Sequence, residues 1–261
     1  MSGRRLMRIG VLAEGPTELG QSIREVFPED GGKPIKRENE GALHTFIRRA
    51  LELDNEVDCE FIQIHPLLQS SGVWKPPHTG HNILDSDYIQ KCIVAWSPAD
   101  DVDLIVICVD SDDQEDKRGV RLQQAVELAR QYHFNGQSKQ IAETSIGGLA
   151  IKSIETWLIA DNDAVYSLLN VSLPSDLPED LEVLPGAKRD LLNSKKMLDE
   201  AIRQSDYRRD IKKGRRKLVV RWQLAKLVDM ERVKRCCQRG YGCFAADLSK
   251  AVHIIEKGDE V

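Results

Sequence analysis

The feature that most constrains the fold is a run of apolar residues, Leu104 to Val109, within the segment DVDLIVICVDSDDQED. Because this run is continuous rather than alternating, it predicts a strand that is covered on both faces, as in a parallel sheet between helices. A second apolar run, Leu6 to Ala13, lies near the start of the chain and is bounded by Gly15 and Pro16. The two runs predict a buried parallel sheet.

Segments with helical periodicity alternate with these apolar runs. The predicted helices cover residues 17–26, 42–53, 86–96, 118–134 and 151–169. Further strands are predicted at residues 58–67 and, from a weaker pattern, at residues 140–146. Strands that alternate with helices predict right-handed crossover connections and therefore an α/β fold.

The domain organisation follows from a change in composition after this region. The segment SLPSDLPEDLEVLPG, residues 172–186, is rich in proline and acidic residues and predicts a connector. The chain beyond it has a helical and basic pattern. We therefore expect an α/β domain over residues 1–171, a connector over residues 172–186, and a helical basic extension over residues 187–261 that packs on the domain.

Charge is distributed unevenly along the chain. The net charge of -5 argues against a protein that coats nucleic acid indiscriminately. Residues 187–239, however, contain 18 Lys and Arg against 7 Asp and Glu. This surplus favours contact with nucleic acid, although a solvated helix face or a surface for an acidic protein partner has the same composition. The candidate nucleic-acid contacts are Arg208, Arg209, Lys212, Lys213, Arg215, Arg216 and Lys217.

The sequence also bears on the cellular compartment. No stretch reaches the roughly 18 to 20 consecutive apolar residues that a membrane span needs, and the first residues lead into a strand rather than a signal peptide. Cys59, Cys92 and Cys108 lie in apolar or amphipathic runs and lack the spacing of a disulfide framework. These features predict a cytoplasmic protein without a membrane partner, and they leave the oligomeric state open.

Acidic residues follow the two apolar runs at the points where the strands are predicted to end. Glu14 and Glu18 follow the first run, and Asp110, Asp112 and Asp113 close the second. If the strands are neighbours in a parallel sheet, their carboxyl ends meet and these carboxylates converge. Converging carboxylates repel one another unless a cation lies between them, and oxygen ligands without His or Cys favour Mg²⁺ or Mn²⁺. The acids therefore predict a metal site.

Two further acids, Glu155 and Asp161, lie in the segment SIETWLIAD. On one helix their spacing of six residues corresponds to about 600°, so the two side chains need not share a ligand. Glu155 is equally well explained as a buried acid paired with Lys or Arg, and Asp161 as a helix cap. Similar alternatives apply elsewhere: Glu18 suits a helix N-terminus, and Asp110 with its neighbours suits a turn.

The segments EGPTE and VDSDD, in this order and at predicted strand ends, resemble the Toprim domain of topoisomerases, primases and overcoming-lysogenization-defect nucleases. The second acid of EGPTE resembles the nuclease branch. The segments IKSIETWLIAD and LPGAKRDLL resemble a family of uncharacterised bacterial Toprim-like proteins known as a domain of unknown function. The resemblance covers approximately Met7 to Leu192 and implies four parallel strands flanked by helices.

The resemblance also implies roles for the acids. Glu14 matches a glutamate that acts as a general acid or base or as a metal ligand, and Asp110 and Asp112 match a pair that holds Mg²⁺. Glu18 matches the second acid of the nuclease branch, and Glu155 or Asp161 completes a second metal site. Two metal ions about 4 Å apart would support phosphodiester hydrolysis.

Two lysines, Lys152 and Lys188, are candidates to neutralise charge in the transition state. Together these features predict a Mg²⁺-dependent phosphoryl-transfer enzyme, most simply a DNA or RNA nuclease. The nuclease relatives carry an ATPase domain, whereas this sequence has no GxxxxGK[ST] pattern, so an ATPase would be a separate partner.

This difference favours a component of a bacterial defence system and leaves two alternatives open. One is a non-catalytic regulatory or interaction subunit of an ATPase-containing complex. The other is an enzyme that acts on mononucleotides or other small phosphate esters.

Overall fold

The computed structural model describes residues 6–20, 34–54, 57–62, 80–86, 88, 102–131, 145–186 and 190–258. Four strands form one parallel sheet in the order β2-β1-β3-β4. They are β1 (Leu6–Leu12), β2 (Asp58–Ile62), β3 (Leu104–Asp110) and β4 (Ile146–Ala150). The sheet confirms the predicted α/β class with about four parallel strands flanked by helices.

The two apolar runs form the neighbouring central strands of the sheet. β1 pairs with β3 in a register that sets Leu12 beside Ile107, and every residue of β3 is buried. Because the strands are parallel, the loops that follow them leave from the same edge of the sheet. This edge brings the acids after β1 close to those at the end of β3.

The fourth strand was predicted at the wrong place. It covers Ile146–Ala150, whereas the weak pattern at residues 140–146 indicated an earlier segment, of which residues 140–144 lie outside the described residues. Two consecutive glycines lower the strand propensity of the observed segment. A Cβ atom on Gly147 would lie 3.1 Å from Leu122, and one on Gly148 would lie 3.0 Å from Phe244. Close packing on both faces therefore explains the glycines.

Nine α-helices occur in the described part of the chain. Six of them are α1 (Pro16–Leu19), α2 (Ala42–Asp54), α3 (Glu115–Gln131), α4 (Ile154–Leu158), α5 (Asn162–Leu169) and α6 (Ser194–Gln204). The others are α7 (Lys213–Leu227), α8 (Met230–Cys236) and α9 (Cys243–Gly258). No helix in these ranges has both the length and the apolarity needed to cross a membrane.

The predicted helices agree with the structure to different degrees. The helix at residues 42–53 is confirmed by α2, and α3 begins three residues before the predicted start. The segment predicted as one helix over residues 151–169 forms two helices, because Asp161 caps a new helix there. Most of the predicted helix at residues 86–96, and the predicted helix 17–26 beyond Gly20, lie outside the described residues.

The C-terminal helices share a hydrophobic core with one face of the sheet, while α3 packs on the other face. Trp157 of α4 lies at the centre of an aromatic group, with ring centroids 5.5 Å from Phe46 and 5.2 Å from Tyr241. The guanidinium of Arg49 on α2 donates hydrogen bonds to the carbonyls of Ala225 and Val228 at the end of α7. These contacts hold the C-terminal helices beside the carboxyl edge of the sheet.

Candidate functional site

Glu14 and Asp110 meet at the carboxyl edge of the sheet. Glu14 lies two residues after β1, and Asp110 is the last residue of β3. The backbone N–H of Asp110 donates a hydrogen bond to Oε1 of Glu14 at 3.1 Å. The structure thus brings together the two acids that the strand pattern predicted to converge.

Asp110 is a deeply buried carboxylate. Asp110 is 5% exposed, and its Oδ1 accepts a hydrogen bond from the backbone N–H of Ile154 at 2.9 Å. Its Oδ2 accepts a hydrogen bond from Nζ of Lys195 at 2.7 Å. Burial raises the pKa of Asp110 to about 7, and the nearby charges of Glu155 and Glu14 add to this effect against the opposing charge of Lys195. The protein therefore holds this acid at an electrostatic cost.

Glu18 belongs to the same group of acids. It lies in the single turn of α1 and is buried. Burial raises the pKa of Glu18 well above its usual range, and the charges of Asp110, Glu155 and Glu14 raise it further. Burial likewise raises the pKa of Glu14, while the guanidinium of Arg118 opposes the shift. Neighbouring charges of the same sign are thus part of the environment of each acid.

Glu155, in the first turn of α4, forms a buried ion pair. Nε of Arg221 on α7 lies 2.8 Å from Oε1 of Glu155, and the two side chains are 7% and 5% exposed. Arg221 also pairs with Asp199 at 2.8 Å. The second oxygen of Glu155, Oε2, is buried and has no hydrogen-bond partner among the described residues. The structure therefore shows the ion pair that was the alternative to metal binding for Glu155, and it leaves one oxygen of this acid without a partner among the described residues.

We refer to Glu14, Glu18, Asp110 and Glu155 as the four-acid cluster. The main counter-ion of this cluster is Lys195, and it was not predicted from the sequence. Nζ of Lys195 lies 2.7 Å from Oδ2 of Asp110, and the pKa of this ammonium is raised by its carboxylate neighbours. Lys195 is one of many lysines in the basic segment, so the sequence contains no feature that singles it out.

Arg118 is a second cation that sequence reasoning missed. Its guanidinium lies 3.5 Å from Glu14 and 2.7 Å from Asp112, and it also donates to the backbone carbonyl of Asp110. The position of Arg118 in the helix that follows the acidic turn was an available indication, because a side chain at the start of that helix can point back toward the strand end.

Asp112 lies at the margin of the cluster rather than inside it. Its carboxylate is 42% exposed, and a charge from it contributes to the raised pKa of Glu14. Asp112 and Lys152 both adopt left-handed backbone conformations, with φ angles of 46° and 66°. The N–H of Asp112 donates to the carbonyl of Lys152 at 3.0 Å, which joins the turns after β3 and β4. Left-handed backbone at non-glycine residues costs about 1 kcal/mol or more each and is typical of functional sites.

Asp113 and Lys152 form a separate contact with the connector. Oδ1 of Asp113 accepts a hydrogen bond from the N–H of Gly186 at 3.0 Å and lies 3.4 Å from Nζ of Lys152. These bonds tether the end of the connector to the acidic turn. Asp113 therefore holds the connector in place, and Lys152 offsets its charge. The other predicted lysine, Lys188, lies outside the described residues.

Asp161 caps a helix, which was the alternative to metal binding for this residue. Its Oδ1 accepts hydrogen bonds from the N–H groups of Asp163 and Ala164 and from Arg232. Its Oδ2 accepts a hydrogen bond from the N–H of Asp229 at 2.9 Å. Both oxygens are thus occupied by bonds that cap α5 and join it to the start of α8. We therefore leave Asp161 out of the candidate site.

The predicted basic run lies around the start of α7. Two of its members are partly buried: Arg216 donates to the carbonyl of Ser205 at 2.8 Å, and Lys217 pairs with Asp199. The other five are exposed, and they are Arg208, Arg209, Lys212, Lys213 and Arg215. Of these, Arg209 also donates to the carbonyl of Ser205, at 3.2 Å, and pairs with Asp206. Because α7 also supplies Arg221 to the four-acid cluster, the basic surface and the acids are connected by one helix.

The donor set of the cluster fits a hard cation. In the described part of the chain, no three His, Cys, Asp or Glu side chains stand close enough together to hold a metal ion as they are. The four acids nevertheless offer only carboxylate oxygens, and Oε2 of Glu155 has no partner among the described groups. Hard oxygen ligands of this kind suit Mg²⁺ or Mn²⁺. A cation would take over the role that the Lys195 ammonium now fills beside Asp110.

Comparison with known proteins adds no relative to this description. No protein-family model, no curated protein and no solved structure matches the chain. The resemblance to Toprim proteins therefore depends on the short motifs at the strand ends and stays a prediction, whereas the parallel sheet and the hydrogen bond between Asp110 and Glu14 are observed.

Proposed function

We propose that this protein is a Mg²⁺- or Mn²⁺-dependent phosphoryl-transfer enzyme of Toprim type that hydrolyses phosphodiester bonds in DNA or RNA. One observation carries the proposal: four largely buried carboxylates from three segments of the chain lie together at the carboxyl edge of a parallel sheet. Burial of like charges is unfavourable unless a cation compensates for it. The raised pKa of Asp110, about 7, expresses this cost.

The residues that would hold the metal are those of the four-acid cluster, with Asp112 at its margin. Asp110 is the central member, because it contacts Glu14 and its charge acts on Glu18. When bound, Mg²⁺ or Mn²⁺ polarises a phosphoryl oxygen and lowers the pKa of a bound water.

The chain supplies its own groups for stabilising negative charge and for transferring protons. The ammonium of Lys195 is partly exposed and stays protonated, because the surrounding carboxylates raise its pKa. It can therefore donate hydrogen bonds to a phosphoryl oxygen as negative charge develops there. Glu14 is more exposed than Asp110, and burial raises its pKa, so it is the best-placed general acid or base.

The basic surface around the start of α7 supports a polyanionic substrate. Five exposed Lys and Arg side chains lie there, and α7 reaches the cluster through Arg221. Local basic charge on an acidic protein favours a bound strand at this surface while limiting indiscriminate binding elsewhere. A phosphate backbone on this surface would lie close to the acids.

The proposal is tested by metal binding and cleavage in parallel. Calorimetry with Mn²⁺ and Mg²⁺ is performed on the wild-type chain, on Asp110→Asn and on Asp247→Asn, an isosteric control on the exposed side of α9. Plasmid, single-stranded DNA, RNA and mononucleotides are incubated with the same samples. We expect metal-dependent cleavage that Asp110→Asn abolishes and Asp247→Asn retains. Full metal affinity in Asp110→Asn would refute the site, and turnover of mononucleotides alone would refute the nuclease.

A second candidate function is favoured by a specific observation. Lys195, Arg118 and Arg221 already pair with carboxylates of the site or its margin. A scaffold whose acids are neutralised internally suits a non-catalytic subunit that binds a separate ATPase-containing partner. Stoichiometric co-purification of such a partner, together with no activity on any nucleic acid at saturating Mn²⁺, would favour this function over the enzyme.

A further inference from the structure

A cavity lies beside the four-acid cluster on the side of α7, and we call it the α7 pocket. Its volume is about 590 Å³, and its lining includes Pro16, Thr17, Glu155, Arg215, Leu218 and Trp222. This volume is within the range of about 300 to 1,000 Å³ that is typical of small-molecule pockets. The pocket is therefore large enough for one ligand of that class, and Glu155 connects it with the acids.

The apolar side of the pocket has a fixed shape. The indole N–H of Trp222 donates hydrogen bonds to the carbonyls of Pro16 and Thr17 at 3.0 and 3.2 Å. Trp222 is 7% exposed, so its ring is held as a wall between α7 and the turn after β1. Together with Leu218 and Pro16, this wall offers an apolar surface to a flat ring.

The opposite end of the pocket has the properties of an anion site. The helix α7 begins at Lys213, and no side chain caps its N-terminus. The first N–H groups of a helix have no intrahelical partner and favour an anion. No atom lies within 4 Å of the place where a Cβ on Gly214 would stand, so a ligand can approach the backbone there. Arg215 is exposed and forms no ion pair with any described residue.

A second observation at the pocket comes from the carboxylate of Glu155. Glu155 is 4% exposed and lines the pocket, and its Oε2 has no hydrogen-bond partner among the described residues. A buried carboxylate oxygen without a partner is costly, and a donor or a cation from a ligand would satisfy it. The pocket thus combines an apolar wall, an anion site and an acceptor, which are the features that a nucleotide requires.

We propose that the α7 pocket binds one unpaired nucleotide of the substrate. The phosphate lies at the first turn of α7 beside Arg215, the base or sugar lies against Trp222 and Leu218, and a hydroxyl or amino group donates to Glu155. A paired base is not available to such a cavity until it leaves the stack. The proposal rests on the proposed function, and it assigns single-stranded nucleic acid as the preferred substrate of the site.

Binding measurements test the pocket without requiring catalysis. Fluorescence anisotropy with EDTA compares a labelled single strand, the corresponding duplex and a nucleoside monophosphate on the full chain. The variants are Arg215→Glu, which reverses the free charge, and Gly214→Phe, which fills the opening. The control is Lys226→Glu, the same charge reversal at an exposed position in the last turn of the same helix.

We expect the wild type to bind the single strand more tightly than the duplex. Arg215→Glu and Gly214→Phe should each weaken single-strand binding about tenfold, and Lys226→Glu less than about twofold. If the nucleoside monophosphate also binds, and if both substitutions weaken its binding, a free nucleotide is a sufficient ligand for the pocket. Equal loss in Lys226→Glu, or duplex binding as tight as single-strand binding, would overturn the proposal.

Cleavage by the same variants separates this inference from the proposed function. If Mn²⁺-dependent cleavage occurs and neither Arg215→Glu nor Gly214→Phe reduces it, the nuclease stands and the pocket is refuted. If no cleavage occurs but both variants still weaken single-strand binding, the pocket stands and the nuclease is refuted. Circular dichroism confirms that Gly214→Phe is folded, and Arg215→Glu provides the independent test if it is not.

Discussion

The metal-free protein should lose stability as the pH rises from about 4 to about 7, and Asp110 should account for much of the loss. Burial and the neighbouring acids raise the pKa of Asp110 from 3.8 to about 7. The folded state therefore retains a proton that the unfolded state releases between these two values. Because the unfolded state binds fewer protons in this range, the free energy of unfolding falls as the pH rises.

The size of the effect follows from the shift. About three pKa units at 1.36 kcal/mol each correspond to at most about 4 kcal/mol. Asp110→Asn removes this titration while it keeps an acceptor for the N–H of Ile154. The difference in unfolding free energy between wild type and Asp110→Asn should therefore decrease with pH and level off above about pH 7.

The assay is urea unfolding in EDTA at several pH values, followed by the fluorescence of the buried Trp157 and Trp222. Addition of Mn²⁺ should reverse the trend in the wild type. A metal that binds the ionised acids stabilises the folded state more at higher pH, because fewer protons then compete for the same carboxylates. A wild-type stability that is flat or rises through this pH range in EDTA, with the same profile in Asp110→Asn, would refute the reasoning.

Two further predictions concern residues that surround the four-acid cluster. Asp161→Ala should lower the free energy of unfolding by about 2 kcal/mol, because it removes a helix cap and the hydrogen bond to Asp229. Calorimetry should find the affinity for Mn²⁺ unchanged. Weaker Mn²⁺ binding would show that Asp161 belongs to the metal site. Lys195→Met should bind Mn²⁺ about tenfold more tightly, because it lacks the ammonium that competes for Asp110, and it should cleave nucleic acid more slowly. Lys196→Met is the control. Weaker Mn²⁺ binding by Lys195→Met would contradict the assignment of Lys195.

The elements predicted well from the sequence are those whose environment is uniform along the segment. β3 is buried at every residue, so its apolar run identified both the strand and the parallel sheet. The helix α2 has a buried face at regular spacing, and its predicted bounds differ by one residue. β4 was misplaced because its glycines are required by neighbours from α3 and α9, which no local pattern reveals.

The candidate site was predictable in part for the same reason. Glu14 and Asp110 follow strongly patterned strands, so their convergence follows from the parallel sheet alone. Lys195 and Arg221 reach the acids from helices far along the chain, and their approach depends on tertiary packing. The role of Asp161 could not be predicted, because an acid that caps a helix and an acid that binds a metal look the same in a sequence.

The origin of the counter-ions has a consequence for the synthesis of the protein. All four acids of the cluster precede residue 156, whereas Lys195 and Arg221 come from the last third of the chain. A ribosome-bound chain that has emerged only as far as the connector carries the acids without the helices that compensate and cover them. The proposed centre is therefore completed late in translation, and an unfinished copy would lack Lys195, Arg221 and the α7 pocket.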